Sequence, residues 1–295
     1  MINVFIFGGS GFVGRNLIAA LDKRIYRISG LVRTEEEAEF LKKLGAEPVI
    51  GDVLDLNSFL AGIAEDSIIF YLIHGLGRQK KKAELLEIEE RAVNSLIEAA
   101  RIKKARQIIH LTGIYFEEQK LSPHLSARKL TLEKIRDSGL PYAIIRTSVI
   151  FGRGSISFEI IKALLAKIPL IPLFSWRKSK ISPIHIQDIV FALTHIIENP
   201  AFLNKIIDIG GPRIFSYGEL FLEMARFRGQ KRFFLKLPLN LFFLPALISA
   251  LLTGFSFREV YFLFQSLKDD VFAPAENFQK FFGQNPKSIF DKTIF

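Results

Sequence analysis

The 295-residue chain contains no cysteine. That absence excludes a disulfide framework, thiolate-ligated zinc and a thiol nucleophile, and it suits a reducing, cytoplasmic setting. Carboxylates are scarce: 30 Asp and Glu stand against 40 Lys and Arg, leaving a net charge of +10. A charge of that sign favours anionic partners such as nucleotide phosphates, nucleic acid or acidic lipid. The five histidines lack metal-ligand spacing, and there is no HExxH, so no metal is expected. A GxSxG elbow is missing too, and no P-loop exists, because Arg15 follows Gly14. The opening run Met1–Phe7 lacks a basic segment and stops at Gly8, unlike a secretory signal.

What the chain has in excess is apolar surface: 29 Phe, and a mean hydropathy of +0.25. From Leu237 to Phe257 there is no charge in 21 residues, between Lys236 and Arg258. As one helix this stretch would run about 32 Å at about 1.5 Å per residue, enough to cross a hydrocarbon core of about 30 Å. Pro238, Asn240, Pro245 and Gly254 interrupt it. Three readings stay open: a membrane span, a lid over a substrate cleft, or an interfacial segment. In the last, Phe and Leu enter a headgroup layer while Arg226, Arg228, Lys231, Arg232 and Lys236 meet acidic lipid, a peripheral contact through residues 226–257. Basic clusters also occur at Arg78 with Lys80–Lys82 and at Arg101–Arg106. No nucleic-acid motif accompanies any of them, so nucleic acid is not an expected partner.

Apolar strands alternate with amphipathic helices through the first half. Strands are expected at Ile2–Phe7, Tyr26–Val32, Glu47–Ile50, Ser67–Leu72, Gln107–Thr112 and Tyr142–Arg146. Between them fall helices at Phe12–Leu21, from Thr34 (capping-box spacing to Glu37) to Leu44, at Asn57–Ala61, Lys82–Ile102 and Pro123–Asp137. This rhythm predicts an α/β fold, a doubly wound parallel sheet of Rossmann type. It loosens after Phe151. A helix near Phe158–Ala166, a proline loop at Ile168–Pro172, a helix from Asp188 to Glu198, a strand at Lys205–Ile209 and a capping box at Ser216–Glu219 follow. Residues 1–151 are expected to form the nucleotide-binding domain. Residues 152–295 would form a smaller, mainly helical substrate or lid lobe that includes the apolar segment 237–257.

Gly8, Gly11 and Gly14 frame the turn between the first strand and first helix, with Ser10, Phe12 and Val13 in the same window. The first glycine permits the tight turn, the second a close approach by a pyrophosphate, and the third close helix–strand packing. A carboxylate at the end of the second strand would select a free ribose. Here Val32 leads into Arg33, which suits a 2′-phosphate, so NADP(H) is expected, with NAD(H) the alternative. Arg33 also reads simply as a solvated strand-end arginine. Asp52 and Val53 are placed to reach the adenine; Asp52 reads equally as a helix cap.

The glycine turn, Val32-Arg33, Gly51-Asp52, Tyr71-Leu72-Ile73-His74, Ser138–Tyr142, Ile145-Arg146, Pro183–Asp188 and Ile209–Pro212 together resemble the atypical and extended short-chain dehydrogenase/reductase superfamily. The likeness is nearest to the branch of the complex I nucleotide-binding accessory subunit and nucleoside-diphosphate-sugar-epimerase-like proteins. It implies cofactor contacts at Ile73 and His74.

One departure stands out. The superfamily's chemistry uses Tyr-x-x-x-Lys, and none of the six tyrosines has Lys four residues on. His124 and Arg128 occupy the matching positions. Arg128 can bind a ribose hydroxyl; His124 is a different kind of acid, or else a capping or surface residue. Thr112 lies at the strand end where the resemblance implies a substrate-orienting hydroxyl. Two functions follow: an NADP(H)-dependent oxidoreductase acting on a carbonyl or quinone-like substrate, or a non-catalytic nucleotide-binding scaffold or redox sensor at a membrane or respiratory assembly.

Overall fold

A computed structural model describes residues 1–73, 82–118 and 120–291. His74, Arg78, Lys80 and Lys81 lie outside the described residues. In chain order the first half gives β1 (Ile2–Phe7), α1 (Phe12–Ala20), β2 (Tyr26–Val32), α2 (Glu35–Lys43), β3 (Glu47–Ile50), α3 (Leu56–Leu60) and β4 (Ile68–Tyr71). Next come α4 (Lys82–Ile102), β5 (Gln107–Gly113), α5 (Pro123–Arg136), β6 (Tyr142–Thr147), β7 (Ile150–Phe151) and α6 (Ile156–Lys167). The chain continues through β8 (Leu170–Leu173), β9 (Lys180–Ile181), β10 (Ile184–His185), α7 (Ile186–His195), β11 (Lys205–Ile209) and β12 (Phe215–Ser216). It ends with α8 (Tyr217–Phe227), β13 (Phe233–Lys236), α9 (Phe243–Thr253), α10 (Phe257–Ser266) and α11 (Ala275–Phe282).

The central sheet has seven parallel strands in the order β11-β6-β5-β4-β1-β2-β3. This is the expected Rossmann architecture. Val4 on β1 pairs with Ile28 on one side and Ile68 on the other. Strand order therefore reverses at β1, and a crevice opens beyond the carboxyl ends of β1 and β4. Both faces are covered, which is why the inner strands β1 and β4 read as nearly continuous apolar runs. One core holds Ile6, Leu17, Ile18 and Leu41; the opposite face holds Phe7, Phe59, Leu96 and Ile135. A third cluster, with Phe158, Leu165, Trp176, Leu220 and Met224, builds the C-terminal part.

The chain returns to the large sheet after residue 151. β11 pairs with β6, and opposite Asp208 the Arg146 guanidinium forms a fork, Nε to Oδ1 at 2.6 Å and Nη2 to Oδ2 at 2.7 Å. Arg146 also lies over the Tyr115 ring. This partly buried bidentate pair fixes the last strand's register.

Several elements differ from expectation. The proline loop is strand β8, paired in parallel with β13; a two-stranded ribbon has free edges that tolerate Pro172. The helix expected from Asp188 begins at Ile186, because His185 is its N-cap and accepts the Gln187 N–H at 3.1 Å. The uncharged stretch is no single helix: α9 ends at Gly254 in the left-handed conformation (φ 76°), and α10 starts afresh. At 11 residues α9 is about 16 Å long, half of what a bilayer needs. Among the described residues, no helix is long and apolar enough to cross a membrane, so the spanning reading falls.

Candidate functional site

The glycine turn sits at the crevice. Gly8 has φ 90°, and a Cβ there would lie 3.2 Å from the Leu72 carbonyl, so only glycine suits this close passage. The Gly11 N–H donates to the Gly8 carbonyl at 3.1 Å and tightens the loop. At Gly14 a Cβ would fall 2.2 Å from the Gly8 oxygen, so α1 can lie this near the strand only with glycine. α2, α5 and α8 each have a side-chain cap, whereas Gly11 leaves α1 without one, and its first turn carries no acid. Those N-terminal N–H groups and the helix dipole suit a pyrophosphate.

A cleft of about 300 Å³ extends from this turn. Gly8, Gly11, Phe12, Val13 and Gly14 line one side. Thr112 of β5, together with His124 and Arg128 one turn apart on α5, lines it too. Thr112 is the next-to-last residue of β5 and Thr147 ends β6. Both hydroxyls are buried with no hydrogen-bond partner among the described residues. Buried hydroxyls ordinarily find partners. Two left unpartnered in one cleft are suited to a bound polar molecule.

α5 brings His124 and Arg128 to the cleft. Its N-cap Ser122 accepts from the Leu125 N–H and donates its own N–H to buried Asp269 Oδ2 at 3.2 Å, tying α5 to the C-terminal part. Burial raises the pKa of Asp269. Arg128 is buried, and its Nη1 donates to the Ile73 carbonyl at 3.2 Å. Desolvation lowers its pKa, opposed by the charge of Glu89. His110 lies nearby with Nδ1 donating to the Tyr71 carbonyl at 2.8 Å. Complete burial pushes it down to about 3, so it stays neutral and is no proton donor at ordinary pH.

The remaining expected residues occupy a second place. Ser10 and Arg33 line a shallow groove with Thr34, Glu36, Glu37 and Phe40. Glu37, which the capping pattern marked only as a helix residue, accepts from Ser10 Oγ at 3.1 Å and from the Arg33 N–H at 2.8 Å. A carboxylate therefore stands beside Arg33. Asp52 shapes a turn, its Oδ1 accepting from the Leu54 N–H at 3.0 Å, while Asp55 caps α3. Val53 is buried with Phe7 and Phe59.

Sequence reading missed Thr147, Ser148, Ser155 and Ser157, and also Tyr217 and Glu259, all of which line the cleft. Burial pushes the Tyr217 phenol above its ordinary range, so it remains protonated. Thr147 and Ser148 had one usable signal, their place at the carboxyl end of a predicted parallel strand. Glu259 had none, since α10 reaches the cleft only through tertiary folding. The uncharged stretch 237–257 supplies no residue to the cleft lining; α10 does, through Glu259, Leu263 and Ser266.

The chain belongs to the NAD(P)H-binding family, whose model matches residues 8–163. It is similar to a ceramide reductase of Caulobacter vibrioides, 26% identical, the match covering 80% of this chain and 73% of that protein. It is also similar to NADH dehydrogenase [ubiquinone] 1 alpha subcomplex subunit 9, mitochondrial, of Dictyostelium discoideum, at 27% identity over 74% of this chain. The match spans 62% of that subunit's length. In fold it is like a nucleoside-diphosphate-sugar epimerase from Staphylococcus aureus, with a TM-score of 0.75 at 14% identity over 100% of both chains. A nicotinamide cofactor fits what the cleft offers: a glycine cradle, an uncapped helix end and unpartnered hydroxyls.

Proposed function

We propose that the protein is an NADP(H)-dependent oxidoreductase acting on a carbonyl or quinone-like substrate. The observation that carries this is the convergence of the uncapped α1 terminus with the buried, unpartnered Thr112 and Thr147 hydroxyls in one cleft. When bound, a reduced nicotinamide would supply a hydride, one proton with two electrons, to the acceptor carbon. The chain's residues do the rest. α1 N–H groups hold the pyrophosphate, and Arg33 meets the 2′-phosphate. Arg128 holds the ribose, Thr112 donates to the acceptor oxygen, and His124 delivers the proton to it. Leu72, Leu111, Leu263 and Val271 give the cleft apolar walls that exclude water. Residues 1–151 carry the cofactor, and 152–295 shape the acceptor side. The relative named as a reductase supports this reading.

One observation favours a second. His124 and Arg128 stand where a Tyr–Lys pair would generate the acid. The protein would then hold its nucleotide without turnover, as a scaffold or redox sensor, and the relative named as a respiratory subunit supports that. Loss of reduced-nicotinamide absorbance, followed with NADPH and a panel of quinones and long-chain ketones, separates the two. Turnover that falls at least tenfold in Thr112→Val with NADPH affinity kept supports the enzyme. Tight NADPH binding with no turnover supports the scaffold.

A further inference from the structure

We propose that the outer face formed by β13 and α9 seats on the surface of an anionic lipid bilayer. α9 is built in reverse of a helix that packs on a core. Its buried residues are the small ones, Ala246, Ser249 and Ala250, while large ones stand in solvent: Phe243 is 59% exposed, Leu244 54% and Leu251 76%. A water-facing helix of a globular protein turns its charged face outward. α9 has no charge to turn.

The ribbon before it repeats the pattern. Phe233 is 75% exposed, and its parallel partner across the ribbon is exposed Leu170; two residues on, exposed Leu235 stands opposite Pro172. Paired residues share a face, and side chains alternate along a strand, so these four point the same way. Their neighbour Phe234 turns inward to the third core. Single exposed apolar residues are ordinary, but a run of large ones along adjoining elements marks an interaction surface.

Charge identifies the partner. Residues 226–258 contain six Lys and Arg (Arg226, Arg228, Lys231, Arg232, Lys236 and Arg258) and no Asp or Glu. An apolar face flanked by more cations than acids, with Glu223 paired to Arg226 at 3.1 Å and Glu259 beside Arg258, suits acidic headgroups over acyl chains. It disfavours a second copy of this chain, which would bring the same cations and a net charge of +10 against it. α9 also leads through Gly254 directly into α10, a wall of the cleft. Docking would thus set the cleft beside the membrane, whether or not the cleft turns over a substrate.

The test is co-sedimentation of the full chain with phosphatidylcholine vesicles, with and without phosphatidylglycerol. Binding is expected only with phosphatidylglycerol, and it should fade as salt rises. Leu244→Glu with Leu251→Glu should cut the bound fraction at least tenfold, and Lys231→Glu with Lys236→Glu severalfold. All four positions are exposed, so cofactor titration should be unchanged and reports that each variant is folded. No sedimentation with either vesicle would overturn the proposal. So would equal binding to pure phosphatidylcholine, undiminished binding by the Leu244→Glu, Leu251→Glu double variant, or a dimer that the same variant dissolves in the absence of vesicles.

Discussion

Arg128 Nη1 donates to the backbone carbonyl of Ile73 at 3.2 Å, joining α5 to the segment that leaves β4. The guanidinium is buried, and the charge of buried Glu89 supports its ionised form. Removing one of two buried opposite charges leaves the other less compensated, whereas neutralising both is nearly harmless. Arg128→Met should therefore destabilise the fold by about 3 kcal/mol. Adding Glu89→Gln should recover most of that loss in denaturant unfolding. NADPH affinity should stay about tenfold reduced in the double variant, because the proposed ribose contact is gone. Full recovery of affinity would show that Arg128 serves the fold alone.

Gly11 and Gly14 separate two roles of the turn. A Cβ at Gly11 meets the Gly8 oxygen at 3.2 Å, a contact that a small shift relieves, and its φ of −70° suits any residue. At Gly14 the same oxygen is 2.2 Å away and the Gly9 Cα 2.7 Å away, so helix and turn must part. Gly14→Ala should cost about 1–3 kcal/mol of stability as well as affinity. Gly11→Ala should melt like the parent yet bind nucleotide at least tenfold more weakly. Thermal melts paired with titration measure both.

Asp188 is buried, and desolvation raises its pKa to about 6 even though Oδ2 accepts the Lys287 N–H at 2.7 Å. The folded state therefore holds this proton more tightly than the unfolded chain. Its contribution is greatest below the unfolded pKa of about 4 and is lost as pH rises through about 6. A two-unit shift corresponds to about 3 kcal/mol at most. Asp188→Asn keeps an acceptor for Lys287 without the buried charge. It should be more stable than the parent at pH 7, with the difference shrinking toward pH 4, as read by unfolding at several pH values.

Local chemistry made much of this fold legible. Glycines at 8, 11 and 14, the apolar strand runs and the Ser216–Glu219 capping box all appear as their sequence patterns predict, the box with both reciprocal bonds. Each depends on residues a few positions apart. Thr34 and Glu37 show the limit: Thr34 does cap Glu37, but the Glu37 carboxylate turns to Ser10 and Arg33 instead of closing the box. Ser10 is 27 residues away, and no local pattern announces it. β8 was hidden by Pro172 within it and Pro169 just before it, and its partner β13 lies 63 residues on in register. The cleft residues Glu259 and Tyr217 were hidden for the same reason, because helices from distant parts of the chain bring them there.

The central question is the nucleotide, and in the proposed function Arg33 with Glu37 is the place where its form is chosen. Arg33 offers a charge-assisted fork, while Glu37 sets a negative charge beside it, already held by two hydrogen bonds. The net preference for NADPH over NADH should be about tenfold. Arg33→Ala should abolish it, and Glu37→Gln, which keeps an acceptor but drops the charge, should widen it. Calorimetric titration of NADPH and NADH into the full chain and both variants measures this directly. Saturable one-to-one binding with that ordering is the expected result; no saturable binding of either nucleotide, or equal affinities in the parent, would contradict it.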